Sequence, residues 1–184
     1  MLQIQNLNLN LNKQNILTDI NFEINDGEIL SIIGPSGCGK SSILKSIVGI
    51  IKEHDGTILL NKIDITNRPI NKRNITLAFQ DFSLFPHMTL EKNMLIASNS
   101  KTDIDYILTE LDIEYLKDKY PHQMSGGEQQ RASVARAIIY KPQVLLLDEP
   151  FSNVDAITTK IIRKKITNII KKFKSKYKEK IIVI

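Results

Sequence analysis

The run Gly34-Pro35-Ser36-Gly37-Cys38-Gly39-Lys40-Ser41 satisfies the pattern G-x-x-x-x-G-K-S/T without a mismatch. Glycines at these places let successive backbone N–H groups turn inward and form a nest for phosphate oxygens. A helix starting at Lys40 would add the positive end of its dipole. Lys40 is expected to reach the β- and γ-phosphates of a nucleotide, and the Ser41 hydroxyl to ligate Mg²⁺, with Ser42 beside them in the cradle. A glycine-rich turn with an exposed lysine shares the composition but not the flanks, which are an apolar run before the loop and a helical pattern after it. Cys38 sits where a small side chain suffices, and a nucleophilic role would need a base partner that the sequence does not supply.

A second acidic feature is Val144-Leu145-Leu146-Leu147-Asp148-Glu149, an apolar strand that delivers two carboxylates at its C-terminal end. Ligands of open α/β sheets bind at that edge. Asp148 is placed to hold Mg²⁺, directly or through water, and Glu149 to orient or deprotonate an attacking water. An apolar run ending in Asp-Glu is a weak sign alone; paired with the phosphate loop it is a strong one.

The elements that must position these groups show two periodicities. Leu7, Leu9 and Leu11 alternate with asparagines, and Ile20, Phe22 and Ile24 repeat the period of two, as half-buried antiparallel strands do. A further strand at 57–60 is expected after a turn at Asp55-Gly56. Residues 29–33, Val144–Leu147 and 181–184, with 75–79 as a candidate fourth, are short continuous apolar runs expected to be strands buried on both faces of a parallel sheet. Helices are expected over 40–51, 103–111, 128–140 and 158–176. The last carries Ile162, Ile166, Ile169, Ile170 and Phe173 on one stripe, which core packing explains better than membrane binding.

The chain of 184 residues fits one domain, with ordinary apolar (42%) and charged (24%) fractions. No apolar run approaches the roughly 20 residues of a membrane-spanning helix, and no signal-peptide pattern follows Met1. A soluble, cytoplasmic chain without direct membrane insertion is expected, any membrane role coming through a partner. The single cysteine excludes an internal disulfide and a cysteine-based zinc site. The net charge of +5 collects largely between Lys160 and Lys180, on a solvated helical face rather than a nucleic-acid module.

Residues 124–131, Met124-Ser125-Gly126-Gly127-Glu128-Gln129-Gln130-Arg131, resemble the signature motif of the ABC ATPase family. Ser125-x-x-Glu128 is equally a capping box that starts an ordinary helix, and both readings can hold. Gln80 resembles the family's Q-loop glutamine, which senses Mg²⁺ and water, and Ser152-Asn153-Val154-Asp155 its D-loop. The resemblance covers the whole chain. It implies an α/β fold with a P-loop NTPase, RecA-like core of mainly parallel sheet, an N-terminal antiparallel β subdomain and a helical insertion. Residues 1–30 and 56–80 would supply antiparallel and core strands, 81–127 the helical subdomain, and 128–184 the return to the core.

The same resemblance implies Mg²⁺-dependent hydrolysis of ATP between two subunits, an identical pair being the simplest arrangement. Glu149 and Gln80 are then the catalytic candidates and Ser41, Gln80 and Asp148 the metal ligands. Ser125, Gly126, Gly127 and Asp155 would act across the dimer, and the pair would dock on a transmembrane permease at the inner face of the cell membrane. The run 79–89 and Pro150-Phe151-Ser152 are similar to importer subunits for polyamine, ferric iron, thiamine, sulfate or molybdate, where this region receives a permease helix. Phe82, Leu84 and Phe85 could equally be core.

Two departures from the family pattern stand out. Leu11 lies where an aromatic usually stacks on adenine, which forgoes about 1 kcal/mol of stacking. The chain ends at Ile184, before a switch histidine, which implies a C-terminally incomplete domain and the alternative of a nucleotide-binding module with little turnover. A soluble relative acting on DNA or ribosomes ranks lower, since no coiled-coil insertion or second ATPase domain is present.

Overall fold

The computed structural model describes residues 1–79, 81–150, 156–174 and 180–183. Among the described residues, eight strands and five α-helices follow one another as β1 (Leu2–Leu11), β2 (Gln14–Ile24), β3 (Ile29–Ser31), α1 (Lys40–Val48), β4 (His54–Leu60), β5 (Ile63–Asp64), β6 (Ile75–Ala78), α2 (Leu90–Ala97), α3 (Lys101–Glu110), α4 (Gly126–Ile139), β7 (Val144–Leu147), α5 (Ala156–Lys174) and β8 (Lys180–Val183). They divide into two compact units, and each is described by itself. The first holds 1–77, 143–148 and β8; the second holds 78–142 and the described residues from Glu149 through α5.

In the first unit, β2-β1-β4-β5 form an antiparallel sheet. Alternation fails in one place on β1, where Ile4 and Leu7 are both buried three residues apart. The extra residue is a bulge: Asn6 has φ 50°, and pairing with β4 shifts between Gln5 and Asn8. Gly56 faces this bulge. The turn expected at Asp55-Gly56 is therefore not found; both residues lie inside β4. Gly56 has φ +99°, and a Cβ there would fall 2.5 Å from the Asn6 carbonyl oxygen, so glycine serves a close backbone approach. The true hairpin turns are Asn12-Lys13 (φ 49° and 64°) and Asn61-Lys62 (φ 53° and 65°), two-residue loops with both residues left-handed.

The second sheet has the order β3-β8-β7-β6. β8 runs parallel to β3 and to β7, with Ile29 and Leu145 opposite Ile181, and Ser31 and Leu147 opposite Val183. β7 is buried along its whole length, as its four apolar residues require. The expectation of burial fails for 29–33: Ile29 is 50% exposed and Ile33 93% exposed. β3 is the outer strand of this sheet, hydrogen-bonded on one side only among the described residues, and spans three residues, leaving Ile33 in the loop beyond.

The second unit is helical. Thr89 and Ser100 cap α2 and α3 by accepting from the Lys92 and Asp103 amides. Its core includes Leu90, Met94, Ile104, Ile107, Leu108, Ala135 and Ile138. Ile162, Ile166 and Ile169 of α5 are buried as the stripe predicts, and Lys165 of that helix pairs with Asp112 at 2.5 Å. The side chains of Ile170 and Phe173 lie outside the described set. No described helix is long and apolar enough to cross a membrane.

Candidate functional site

Because β3, β8 and β7 run parallel, the C-terminal ends of β3 and β7 lie on the same edge of their sheet. The phosphate-loop residues follow the first of these ends and Asp148 the second, and this topology brings Ser41 to Asp148. The Ser41 hydroxyl donates to Asp148 Oδ1 at 2.9 Å across 107 residues of sequence. Asp148 is 5% exposed, and Ser41 is half-buried. Two hard oxygen donors held side by side at the foot of the loop match the preference of Mg²⁺ for oxygen ligands.

Residues 34–38 of the loop are exposed. Gly39 is the N-cap of α1 at φ +96° and supplies no side-chain acceptor to the first amides of α1. Lys40 Nζ donates to the carbonyls of Gly34 (3.0 Å) and Pro35 (2.9 Å), arching over the loop it belongs to. Cys38 is exposed, and a Cβ on Gly34 would come 2.8 Å from its sulfur, so Cys38 packs the loop turn. Leu11 is half-buried at the end of β1, beside the Asn12-Lys13 turn.

At the far end of α1, Arg73 is 2% exposed, and among the described residues its hydrogen bonds go to carbonyls. It donates to Ser46 and Ile47 of the last helical turn at 3.1 and 2.9 Å, and to Arg68 and Thr66 at 2.9 and 2.6 Å. A buried cation at a helix C-terminus complements the dipole whose other end faces the loop. Burial lowers its guanidinium pKa from the usual range.

In the second unit, Ser125 is the N-cap of α4, and the capping box is complete. Glu128 Oε2 accepts from the Ser125 amide at 2.6 Å and from its hydroxyl at 2.8 Å. Tyr115 donates its hydroxyl to Glu128 Oε1 at 2.6 Å. This Tyr115 bond, then the bonds from Ser125, hold the Glu128 carboxyl below its ordinary pKa. A Cβ added to Gly126 or Gly127 would meet nothing within 4 Å.

Glu149 is also in this unit, half-buried, with φ +46°. Its carbonyl accepts from Gln130 Nε2 of α4 at 2.9 Å. The run 82–89 is held by a second pair: fully buried Asn93 bonds Phe85 through both its amide nitrogen and carbonyl, and also the Met88 and Thr89 carbonyls. Arg136 of α4 donates to Asn93 and to the Ser83 carbonyl, and lies 5.1 Å over the Phe85 ring. Phe85 is 40% exposed. Gln80 and Asp155, with the rest of 151–155, lie outside the described residues. Tyr115, Asn93 and Arg136 had no signal in the sequence, and Gln130 stood in the quoted motif without a role, because their contacts, to a carboxylate, to backbone groups, to an aromatic ring or to one another, follow no spacing rule.

A phosphate cradle after one parallel strand and an acidic strand end beside it define a P-loop NTPase fold. The ABC transporter family model matches residues 17–152, and the chain belongs to this family. Similar proteins include the "Fe(3+) ions import ATP-binding protein FbpC" of Escherichia coli O157:H7, 40% identical over 179 residues, 93% of this chain and 51% of that protein. The "Sulfate/thiosulfate import ATP-binding protein CysA" of Synechocystis sp. is 41% identical over 155 residues, 80% of this chain and 44% of that protein. The chain thus spans about half the length of the curated relatives it matches. Among solved structures, cbiO1 from Clostridium perfringens, part of the ABC transporter complex cbiONQ, superposes with TM-score 0.82 at 31% identity, covering 99% of this chain and 76% of that one. A dimeric ATP-binding cassette in a post-hydrolysis state bound to ADP and Pi gives TM-score 0.81 at 27% identity, covering 100% and 87%.

Proposed function

We propose that this chain binds ATP with Mg²⁺ and hydrolyses it as the nucleotide-binding subunit of an ABC importer. Two copies would work together on a transmembrane permease at the cytoplasmic face of the membrane. The observation that carries the reading is the 2.9 Å bond between Ser41 and Asp148, which joins the phosphate loop to the acidic strand end. The import functions in the names of the relatives support the importer class.

In this reading the amides of residues 34–41 wrap the phosphates, and Lys40 exchanges its loop carbonyls for phosphate oxygens. Ser41 and Asp148 would hold Mg²⁺, with Gln80 as a third ligand proposed from the sequence. The ion supplies charge neutralisation on the transferring phosphate. Glu149 orients the attacking water and takes its proton. Leu11 packs against the base. Ser125, Gly126 and Gly127 present the capped start of α4 to the phosphate held by the other copy, with Asp155 contacting across the pair.

The test is Mg²⁺-dependent ATP hydrolysis by the chain beside Glu149→Gln. The parent is expected to turn over, and the variant to bind ATP while kcat falls on the order of 10²- to 10⁴-fold. A parent that fails to bind ATP would overturn the reading.

A further inference from the structure

Glu149 stands in a conformation that its sequence opposes twice. Its φ of +46° is in the left-handed region, which costs a residue with a Cβ. It also precedes Pro150, and a residue before proline prefers extended backbone. Such a conformation persists only where the surroundings hold it. Gln130 supplies a hold: it sits one turn into α4, is 4% exposed, and donates Nε2 to the Glu149 carbonyl at 2.9 Å.

The other end of the same amide bears on why glutamine is there. Gln130 Oε1 is buried without a hydrogen-bond partner among the described residues. Stranding an acceptor in this way is costly, and a buried side chain kept for packing alone would be better apolar. What the amide achieves that leucine or methionine would not is the bond to Glu149. The residue sits five positions after Ser125, on the helix whose start is the open, glycine-bearing cap.

We infer that Gln130 is a positioning residue that fixes the backbone of Glu149, and so the aim of its carboxylate, from the helix that carries Ser125, Gly126 and Gly127. This rests on the proposed role of Glu149 in hydrolysis. In a pair of copies, the helix start of one copy meets the phosphate held by the other, while Gln130 on that helix sets the carboxylate of its own copy.

Two variants of the full chain separate this role from packing. Gln130→Met keeps the volume and removes both the donor and the stranded acceptor, so its Tm is expected to match or exceed the parent's. Gln130→Glu removes the donor and buries a carboxylate, so its Tm is expected to fall. Both are expected to lose kcat about 10- to 100-fold with the KM for ATP within about threefold, because a displacement of about 1 Å at a reacting group has an effect of that order. Nucleotide-free NMR gives a readout independent of turnover: the Glu149 Cα and Cβ shifts should report left-handed backbone in the parent and leave those values in Gln130→Met. Parent-like kcat in Gln130→Met, or unchanged Glu149 shifts, would overturn the inference. A parent that does not hydrolyse ATP would overturn the functional reading, while the NMR shifts would still decide whether Gln130 holds Glu149.

Discussion

The phosphate loop and the start of α4 both present backbone amides on glycine, yet they are built against different surroundings. In the loop, Gly39 has φ +96°, and a Cβ there would lie 2.9 Å from Leu17 Cδ2 and 3.0 Å from the Ile16 carbonyl. Glycine is demanded by the chain itself. At Gly126 and Gly127 a Cβ would meet nothing within 4 Å, so nothing among the described residues demands glycine there. The loop also has its chemistry on hand, with Ser41 bonded to Asp148. The α4 start is complete as a cap. The first region is explained by the chain alone; for the second we propose that the glycines answer to another molecule.

Substitution should separate the two regions by the sign of their effects. Gly39→Ala is expected to destabilise the chain by about 2 kcal/mol and to abolish ATP binding, as a left-handed residue with a Cβ is pressed against Leu17. Gly126→Asp is expected to leave stability within about 0.5 kcal/mol of the parent, since a carboxylate in the first helical turn suits the dipole. The same change should stop turnover by placing negative charge where the proposed pairing brings a phosphate. Thermal unfolding and ATPase assays of the two variants check this; a destabilised Gly126→Asp would erase the contrast.

A smaller effect belongs to the Tyr115–Glu128 bond. Glu128 is held below its ordinary pKa, so its contribution to stability is present above the unfolded carboxyl value of about 4.3 and is lost as pH falls through the lower folded value. Tyr115→Phe removes the largest cause of that shift. Acid destabilisation should then begin closer to the ordinary carboxyl range, with less than about 1 kcal/mol lost at neutral pH, because Tyr115 is 66% exposed. Unfolding curves between about pH 3 and 7 would show it; superimposable parent and variant profiles would remove Tyr115 from the cap.

How far the sequence could be read follows the same division. The phosphate loop, the strand ending in Asp148-Glu149 and the Ser125–Glu128 box were legible because each is a local pattern with a fixed spacing. The bulge opposite Gly56 and the two Asn-Lys hairpins were not, since glycine marked a close approach where a turn was expected, and the turns used asparagine and lysine instead. Exposure of Ile29 and Ile33 was hidden because an apolar run does not reveal whether its strand lies at the centre or the edge of a sheet. Asn93, and the contact that Gln130 makes, were invisible for a different reason. A side chain that binds a carbonyl 19 residues away, as Gln130 does, leaves no periodicity to detect.

Whether the loop of one copy works with the α4 start of another is tested by mixing two inactive chains. Lys40→Ala lacks the phosphate ligand but keeps an intact helix start; Gly126→Asp keeps the loop and loses the start. Each alone is expected to be silent. Mixed, they should form pairs with one intact composite site and regain ATPase activity. A mixture as silent as its components, with Gly126→Asp still binding ATP, would mean that the loop and the α4 start do not work across a pair of copies.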